Sequence, residues 1–307
     1  MSLPTPSCRC CGSPHTTLFG RKRGRFLLQS YEFHDCADCG FRFVTPFSGY
    51  EIYNEAYYHG AGPDPYVDYE TEYRDWRQTD RALEFTNLAE VAEKFWASRP
   101  PSKAPLEWLD FGCGAGGLLA FLRDRKLIAG RTLHLSGHDV GSYADRLRTD
   151  AGFRILDFAA LQAEPAARYD VVSLVEVIEH IERPAETIAL VARLLRPAGL
   201  LLLTTGNMHG PIPRAQGIGY GYCVPEIHVS LFNPASLTTL YQRCGLEPVR
   251  FRYDGIVRFK VIKTLLAPGR KRFARIALRF PPVVWLIDWL YGTSAMPCAT
   301  KPAALGQ

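Results

Sequence analysis

Two pairs of cysteines stand near the start of the chain. Cys8-x2-Cys11 and Cys36-x2-Cys39 are separated by 24 residues, and a glycine, Gly12 or Gly40, follows each pair. Thiolates at this spacing on two tight turns converge on one tetrahedral ion, for which zinc is the natural occupant. The glycines suit a turn that aims backbone amides at the sulfurs. Five of the nine cysteines fall in the first 39 residues. In a reducing compartment such a cluster reads as metal binding rather than disulfides. Cys8, Cys11, Cys36 and Cys39 are the expected ligands, and Cys10 is an extra thiol able to replace Cys8. With four protein ligands the zinc is structural, not catalytic. Between the pairs, Arg21, Lys22, Arg23 and Arg25 read as a solvated hairpin tip or as a grip for RNA.

A second chemistry is written in Leu109-Asp110-Phe111-Gly112-Cys113-Gly114-Ala115-Gly116-Gly117. Glycines are needed where a backbone turns sharply and a ligand approaches closely. Gly112, Gly114 and Gly117 satisfy G-x-G-x-x-G, so the loop alone does not separate a dinucleotide from another adenosine cofactor. Asp110 does separate them, because an acid there disfavours a pyrophosphate and suits a cationic ligand. Asp139 lies 22 residues past Gly117, where a carboxylate can hold both ribose hydroxyls. Further on, Tyr169-Asp170-Val171-Val172 leads to Glu176-Val177-Ile178-Glu179-His180. Arg193-Leu194-Leu195-Arg196-Pro197-Ala198-Gly199 then runs into Leu200–Thr205.

These groups need a frame. From Leu106 the pattern alternates between strands and helices, which implies a parallel sheet. Strands are predicted at Leu106–Phe111, Thr132–Asp139, Phe153–Leu156, Tyr169–Leu174 and Leu200–Thr205. Helices are predicted at Leu118–Arg125, Ser142–Thr149 and Ala185–Leu195, with Pro197-Ala198-Gly199 as a turn. A later helix over Pro234–Cys244 ends at Gly245, and Leu246–Tyr253 reads as a strand. Before the sheet, apolar residues from Thr79 to Trp96 have helical spacing.

This ordered set resembles the class I S-adenosylmethionine-dependent methyltransferases over roughly residues 106–250. The resemblance implies an α/β fold, a Rossmann-like seven-stranded sheet with helices on both faces and the last strand antiparallel. Ala295–Thr300, followed by Lys301-Pro302, is placed as that strand. It implies three regions: a zinc-ribbon-like module at 1–45, a tyrosine-rich linker and helix at 46–105 covering the cofactor, and the core at 106–307. Within the core, 206–234 is a lid and 255–291 an insertion. S-adenosylmethionine would meet Gly112, Cys113, Gly114 and Gly116, with Asp110 near its ammonium. Asp139 and Val140 would take the ribose, and Asp157 and Phe158 would flank adenine. Glu176 would shape the cofactor pocket, or share catalysis with His180 and His228. Histidine is the default base, since its unperturbed pKa is about 6.5. His209 is a further candidate for contacting the acceptor. A cysteine-pair module on this core looks like a bacterial subgroup acting on small molecules, sugars or glycans, and oxygen is the favoured acceptor atom.

Composition narrows the partners. The chain has 307 residues, 47% hydrophobic and 22% charged, with net charge +5. That excludes a disordered chain and is too mildly basic to argue for nucleic acid. No signal-peptide pattern or long apolar run is visible, so a cytoplasmic enzyme is expected. Ten Arg or Lys and one Asp fall within residues 250–280, beside a Trp-rich apolar run. Peripheral contact of 255–291 with the inner face of a membrane is one reading, and an inserted helical pair is the other. An RNA methyltransferase and a cofactor-binding scaffold without turnover are the alternatives in function.

Overall fold

A computed structural model describes residues 6–63, 69–79, 81–252 and 295–303, with five positions between 280 and 286. Apart from those five, the basic and apolar stretch 255–291 lies outside the described residues.

The chain begins with β1 (Thr16–Arg23), β2 (Ser30–Cys36) and β3 (Arg42–Thr45). These pair in order as an antiparallel meander. The hairpin expected between the cysteine pairs is β1–β2; the sequence pattern set no bounds for its strands, because β1 is exposed at most positions and lacks an apolar stripe. Helices α1 (Tyr69–Asp75) and α2 (Arg81–Ala97) follow. The alternating core is then β4 (Leu106–Phe111), α3 (Gly117–Arg125), β5 (Leu127–Ile128), β6 (Arg131–His138), α4 (Tyr143–Thr149), β7 (Arg154–Leu156), α5 (Phe158–Ala163), β8 (Tyr169–Val175), α6 (Pro184–Leu194) and β9 (Leu195–Thr204). It closes with α7 (Pro211–Gln216), β10 (Ser230–Leu231), α8 (Pro234–Arg243), β11 (Glu247–Arg252) and β12 (Ala295–Thr300).

The large sheet runs β11-β12-β9-β8-β4-β6-β5, with β7 also on β6. Strands β7, β6, β4, β8 and β9 are parallel, and β12 runs antiparallel between β9 and β11. That is the expected seven-stranded arrangement, with β5 added as a two-residue hairpin on β6. Side chains of β4 alternate between the two faces of the sheet. Leu109 and Phe111 enter a core with Ile188, Val191 and Leu240, whereas Leu106 and Trp108 enter one with Phe85, Leu88 and Leu118. All seven residues of β8 are buried, as a central parallel strand covered on both faces requires.

Pro197-Ala198-Gly199 is not a turn before β9 but an outpouching within it. Tyr169 pairs with Leu195 and Val171 with Leu200, and Ala198 takes φ 62°. Lys301 explains why the chain returns here. Its Nζ donates to the carbonyls of Ala192 and Leu195, both at 2.9 Å, capping the negative end of α6. The small sheet takes its fourth strand from the segment after β9: Ser230 pairs with Phe43 and Leu231 with Arg42. Residues 206–234 therefore join the two sheets. Among the described residues, no helix is long and apolar enough to cross a membrane.

Candidate functional site

A cavity of about 900 Å³ opens beyond the carboxyl ends of β4, β6 and β8. Its floor is the turn from β4 into α3. Gly112, Gly114 and Gly116 take φ of 77°, 50° and 77°. At Gly114 a side chain is excluded twice, by that left-handed backbone and by Tyr69, 2.9 Å from a would-be Cβ. The amides of Gly112 and Cys113 both donate to the His138 carbonyl, at 2.7 and 3.0 Å. Asp139 follows β6 and clamps the turn from the side. Its Oδ2 accepts from Gly114 N and its Oδ1 from Gly141 N, both at 2.7 Å, and Tyr58 Oη donates to Oδ1 at 3.3 Å.

Behind the floor lies a buried charge cluster. Asp110 is 3% exposed and accepts from Ser173 Oγ at 2.7 Å. Burial pushes its carboxyl up to about 7, against the pull of that hydroxyl and of Arg81. Arg81 lines the cavity between Glu72 and Glu84, at 3.7 and 3.8 Å, and its Nε is buried without a hydrogen-bond partner. A cation and an acid lining the same cavity fit the carboxylate and ammonium of an amino-acid moiety. Sequence reasoning missed Arg81, since one arginine opening a helix carries no spacing signal.

Asp110 also sets a pH dependence. An acid whose pKa rises on folding contributes stability that is fully present below the unfolded value of 3.8. That stability is lost as pH rises through about 7. Asp110→Asn keeps an acceptor for Ser173 and removes the buried charge. It is expected to melt a few degrees higher than the parent at pH 8 and no higher at pH 4, while binding S-adenosylmethionine more weakly. Scanning fluorimetry at the two pH values checks this; equal melting at pH 8 would count against an ionised, strained Asp110.

The opposite wall comes from the tyrosine-rich segment and from the turn after β8. Tyr50, Tyr53, Tyr57, Tyr58 and Tyr69 line it. Glu176 leaves β8 with φ 55° and also lines the cavity. His180 ends a short 3-10 turn, Ile178–His180, and faces the same space. Its Nδ1 lies 3.1 Å from the Ile227 carbonyl and 2.9 Å from Tyr53 Oη. The carbonyl only accepts, whereas the nearer tyrosine hydroxyl can donate or accept, and together they fix the ring through Nδ1.

The remaining candidates divide. Val140 is 69% exposed at the cavity and Phe158 stands beside His138, with centroids 6.0 Å apart. Asp157 does not line the cavity; its carboxylate caps α5 by accepting from Ala160 N at 2.7 Å. His228 lies behind His180, ring centroids 4.9 Å apart, and its Nδ1 is 2.6 Å from the Tyr222 carbonyl. Glu179 is fully buried and accepts from Tyr222 Oη and Thr205 Oγ1. Ligand atoms of Glu179, His180 and His228 lie within 4.8 Å of one another. His209 is off the cavity, 3.2 Å from Asn233 Nδ2.

The cysteines form a separate centre. Sγ atoms of Cys8 and Cys39 are 3.7 Å apart, and those of Cys11 and Cys36 3.5 Å. Sulfurs about 2.3 Å from a shared tetrahedral ion would be spaced in this way. All four sulfurs lie within 4.8 Å of one another. Gly12 and Gly40 take φ of 81° and 70° in the two turns. Cys10 is not one of the four, and its thiol donates to the Ser236 carbonyl at 3.5 Å.

Comparison with known proteins agrees with this geometry. Residues 75–250, more than half of the chain, match the family model described as a methyltransferase domain. The chain is 28% identical over 194 residues to a ubiquinone biosynthesis O-methyltransferase of Aromatoleum aromaticum, covering 58% of this chain and 79% of that one. It is 28% identical over 199 residues to the protein of that name from Thiobacillus denitrificans, covering 54% and 83%. Among solved structures, it superposes on 1,6-didemethyltoxoflavin-N1-methyltransferase from Burkholderia thailandensis with a TM-score of 0.46. That likeness has 17% identity and covers 87% of this chain and 97% of that one. With the glycine turn, the seven-stranded order and the family match together, the chain belongs to the class I S-adenosylmethionine-dependent methyltransferases.

Proposed function

We propose that the enzyme methylates a hydroxyl oxygen of a small molecule, with His180 as general base. The observation that carries this reading is the placement of His180: its ring lines the cavity while Nδ1 is held between the Ile227 carbonyl and Tyr53 Oη. The name O-methyltransferase on the curated relatives supports the acceptor atom.

S-adenosylmethionine, when bound, supplies a methyl carbon on a positively charged sulfur. Gly112, Cys113, Gly114 and Gly116 let a ligand approach the backbone. Asp110 and Arg81 would hold the ammonium and carboxylate, Asp139 and Val140 the ribose, and Phe158 the adenine. Tyr53 orients the imidazole, and the tyrosine wall excludes water around the acceptor. Glu176 shapes the boundary between the two halves of the cavity, and His228 supports His180 from behind. The four thiols of Cys8, Cys11, Cys36 and Cys39 would hold a structural zinc.

The test separates binding from chemistry. His180→Gln is expected to leave the Kd for S-adenosylmethionine within about threefold and to lower kcat by roughly 10²-fold. The acidic limb of the pH–rate profile should flatten with it. Screening phenols, sugars and other hydroxyl compounds on the parent enzyme names the acceptor. An unchanged kcat in the variant would remove His180 from the reaction.

A further inference from the structure

The loop joining β1 and β2 is not explained by its own fold. Gly24 N donates to the Gln29 carbonyl at 2.8 Å, so the loop proper is Arg25-Phe26-Leu27-Leu28. Tight turns normally use Gly, Pro, Asn, Asp or Ser, each for a conformational reason. Here Phe26, Leu27 and Leu28 are 45%, 43% and 60% exposed. Leu28 also takes φ 56°, a left-handed backbone that disfavours a side chain of this size. The loop is nevertheless held from within. Phe26 N donates to Oε1 of the buried Glu226 at 2.9 Å, and Arg23 Nε donates to the Leu28 carbonyl at 3.0 Å. A fixed backbone thus presents three large apolar side chains to solvent.

The surroundings of the loop are cationic. From Leu18 to Ser30 there are four cations, Arg21, Lys22, Arg23 and Arg25, and no acid. Lys22 turns inward to the Ile218 and Cys223 carbonyls, and Arg21 pairs with Glu32. Arg23 and Arg25 stay exposed beside the apolar tip. On β1, Leu18 and Phe19 add further exposed apolar surface, 41% and 45%. A second copy docking tip to tip would bring like charges together. A convex apolar tip within a cationic collar suits an anionic bilayer, where side chains pass the headgroups and guanidinium groups meet phosphates.

We propose that the loop Arg25-Phe26-Leu27-Leu28 docks the enzyme onto anionic membrane surfaces. The docking element is wired to the cavity, because Glu226, which grips the loop, precedes Ile227, whose carbonyl faces His180. The inference stands independently of the acceptor.

The full-length protein is floated with phosphatidylcholine vesicles, with and without phosphatidylglycerol, at low and high salt. Binding is expected only with phosphatidylglycerol and should weaken with salt. Phe26→Ser/Leu27→Ser/Leu28→Ser, checked for an unchanged melting temperature, should bind at least roughly tenfold more weakly. A second variant, Arg270→Ser/Lys271→Ser/Arg272→Ser/Arg275→Ser, keeps the tip and removes part of the other basic stretch. It should retain the binding that the loop substitutions weaken. Failure of the parent to float at low salt would overturn the proposal, as would a loop variant that floats like the parent. So would sedimentation in which the loop substitutions dissolve an oligomer, since the loop would then be a protein contact.

Discussion

Replacement of Cys39 by serine, or removal of the metal with a chelator, is expected to lower the melting temperature by roughly 10 °C or more and to abolish methyl transfer. The size of the effect follows from where the four thiols sit. Cys8, Cys36 and Cys39 are buried in one continuous core with Phe41, Phe43, Phe232, Leu237 and Leu240. Binding of a structural zinc is folding free energy, about 10–16 kcal/mol in small zinc peptides, so its loss cannot remain local. Three contacts carry the damage onward. Cys10 reaches the Ser236 carbonyl of α8, Asn233 Nδ2 donates to the Gly40 carbonyl at 2.5 Å, and β10 pairs with β3. Immediately before β10, Val229 N donates to the Glu179 carbonyl, one residue from His180. The control is Cys244→Ser: that thiol is half-buried, outside the cluster, and should cost little. Elemental analysis beside the melting curves decides the matter. A parent protein with no bound metal and an ordinary melting temperature would remove zinc from this account.

Asp139→Ala is expected to weaken S-adenosylmethionine binding by at least roughly 10²-fold and to drop turnover below detection at ordinary cofactor levels. Two backbone amides of the floor, Gly114 and Gly141, are held at 2.7 Å by its two oxygens. A hydrogen bond to a charged acceptor contributes about 1.5–3 kcal/mol. The loss of two such bonds would loosen the turn even before any ribose contact is counted. Tyr58 would lose its acceptor as well, and with it one tie between the tyrosine wall and the floor. Asp139→Asn should fall between the parent and the alanine variant, because it keeps one acceptor and faces the other amide with a donor. Calorimetric titration on the metal-replete protein provides the measurement. Micromolar binding retained by Asp139→Ala would mean that the floor had been misread.

The glycine-turn side of the cavity was legible because its signals are local. Gly112, Gly114 and Asp139 lie at turns between strands and helices whose apolar runs are plain in the sequence, and Asp110 lies near the end of β4. The opposite wall was not, because its contacts are distant along the chain. Tyr53 meets His180 across 127 residues, and Arg81 acts on the charge of Asp110 only once α2 packs on the sheet. Asp157 shows a different difficulty. An acid ahead of a short helix is a capping signal, and that local use of its carboxylate competes with the cofactor role that the family pattern suggested. Of the meander only the hairpin tip was legible, because its outer strand is largely solvated. A two-residue strand such as β10 has no periodicity to find.

The pairing of β3 with β10 also sets an order of events during synthesis. Phe43 leaves the ribosome long before its partner Ser230, which is 187 residues further along. At about 5–20 residues per second the wait is roughly 10–40 s. Throughout that interval β1, β2 and β3 can pair with one another, but one edge of the small sheet is bare. An uncovered strand edge is a template for pairing with another chain. The nascent protein is therefore most open to misassociation while its first module is already shaped and its last strand is still to come.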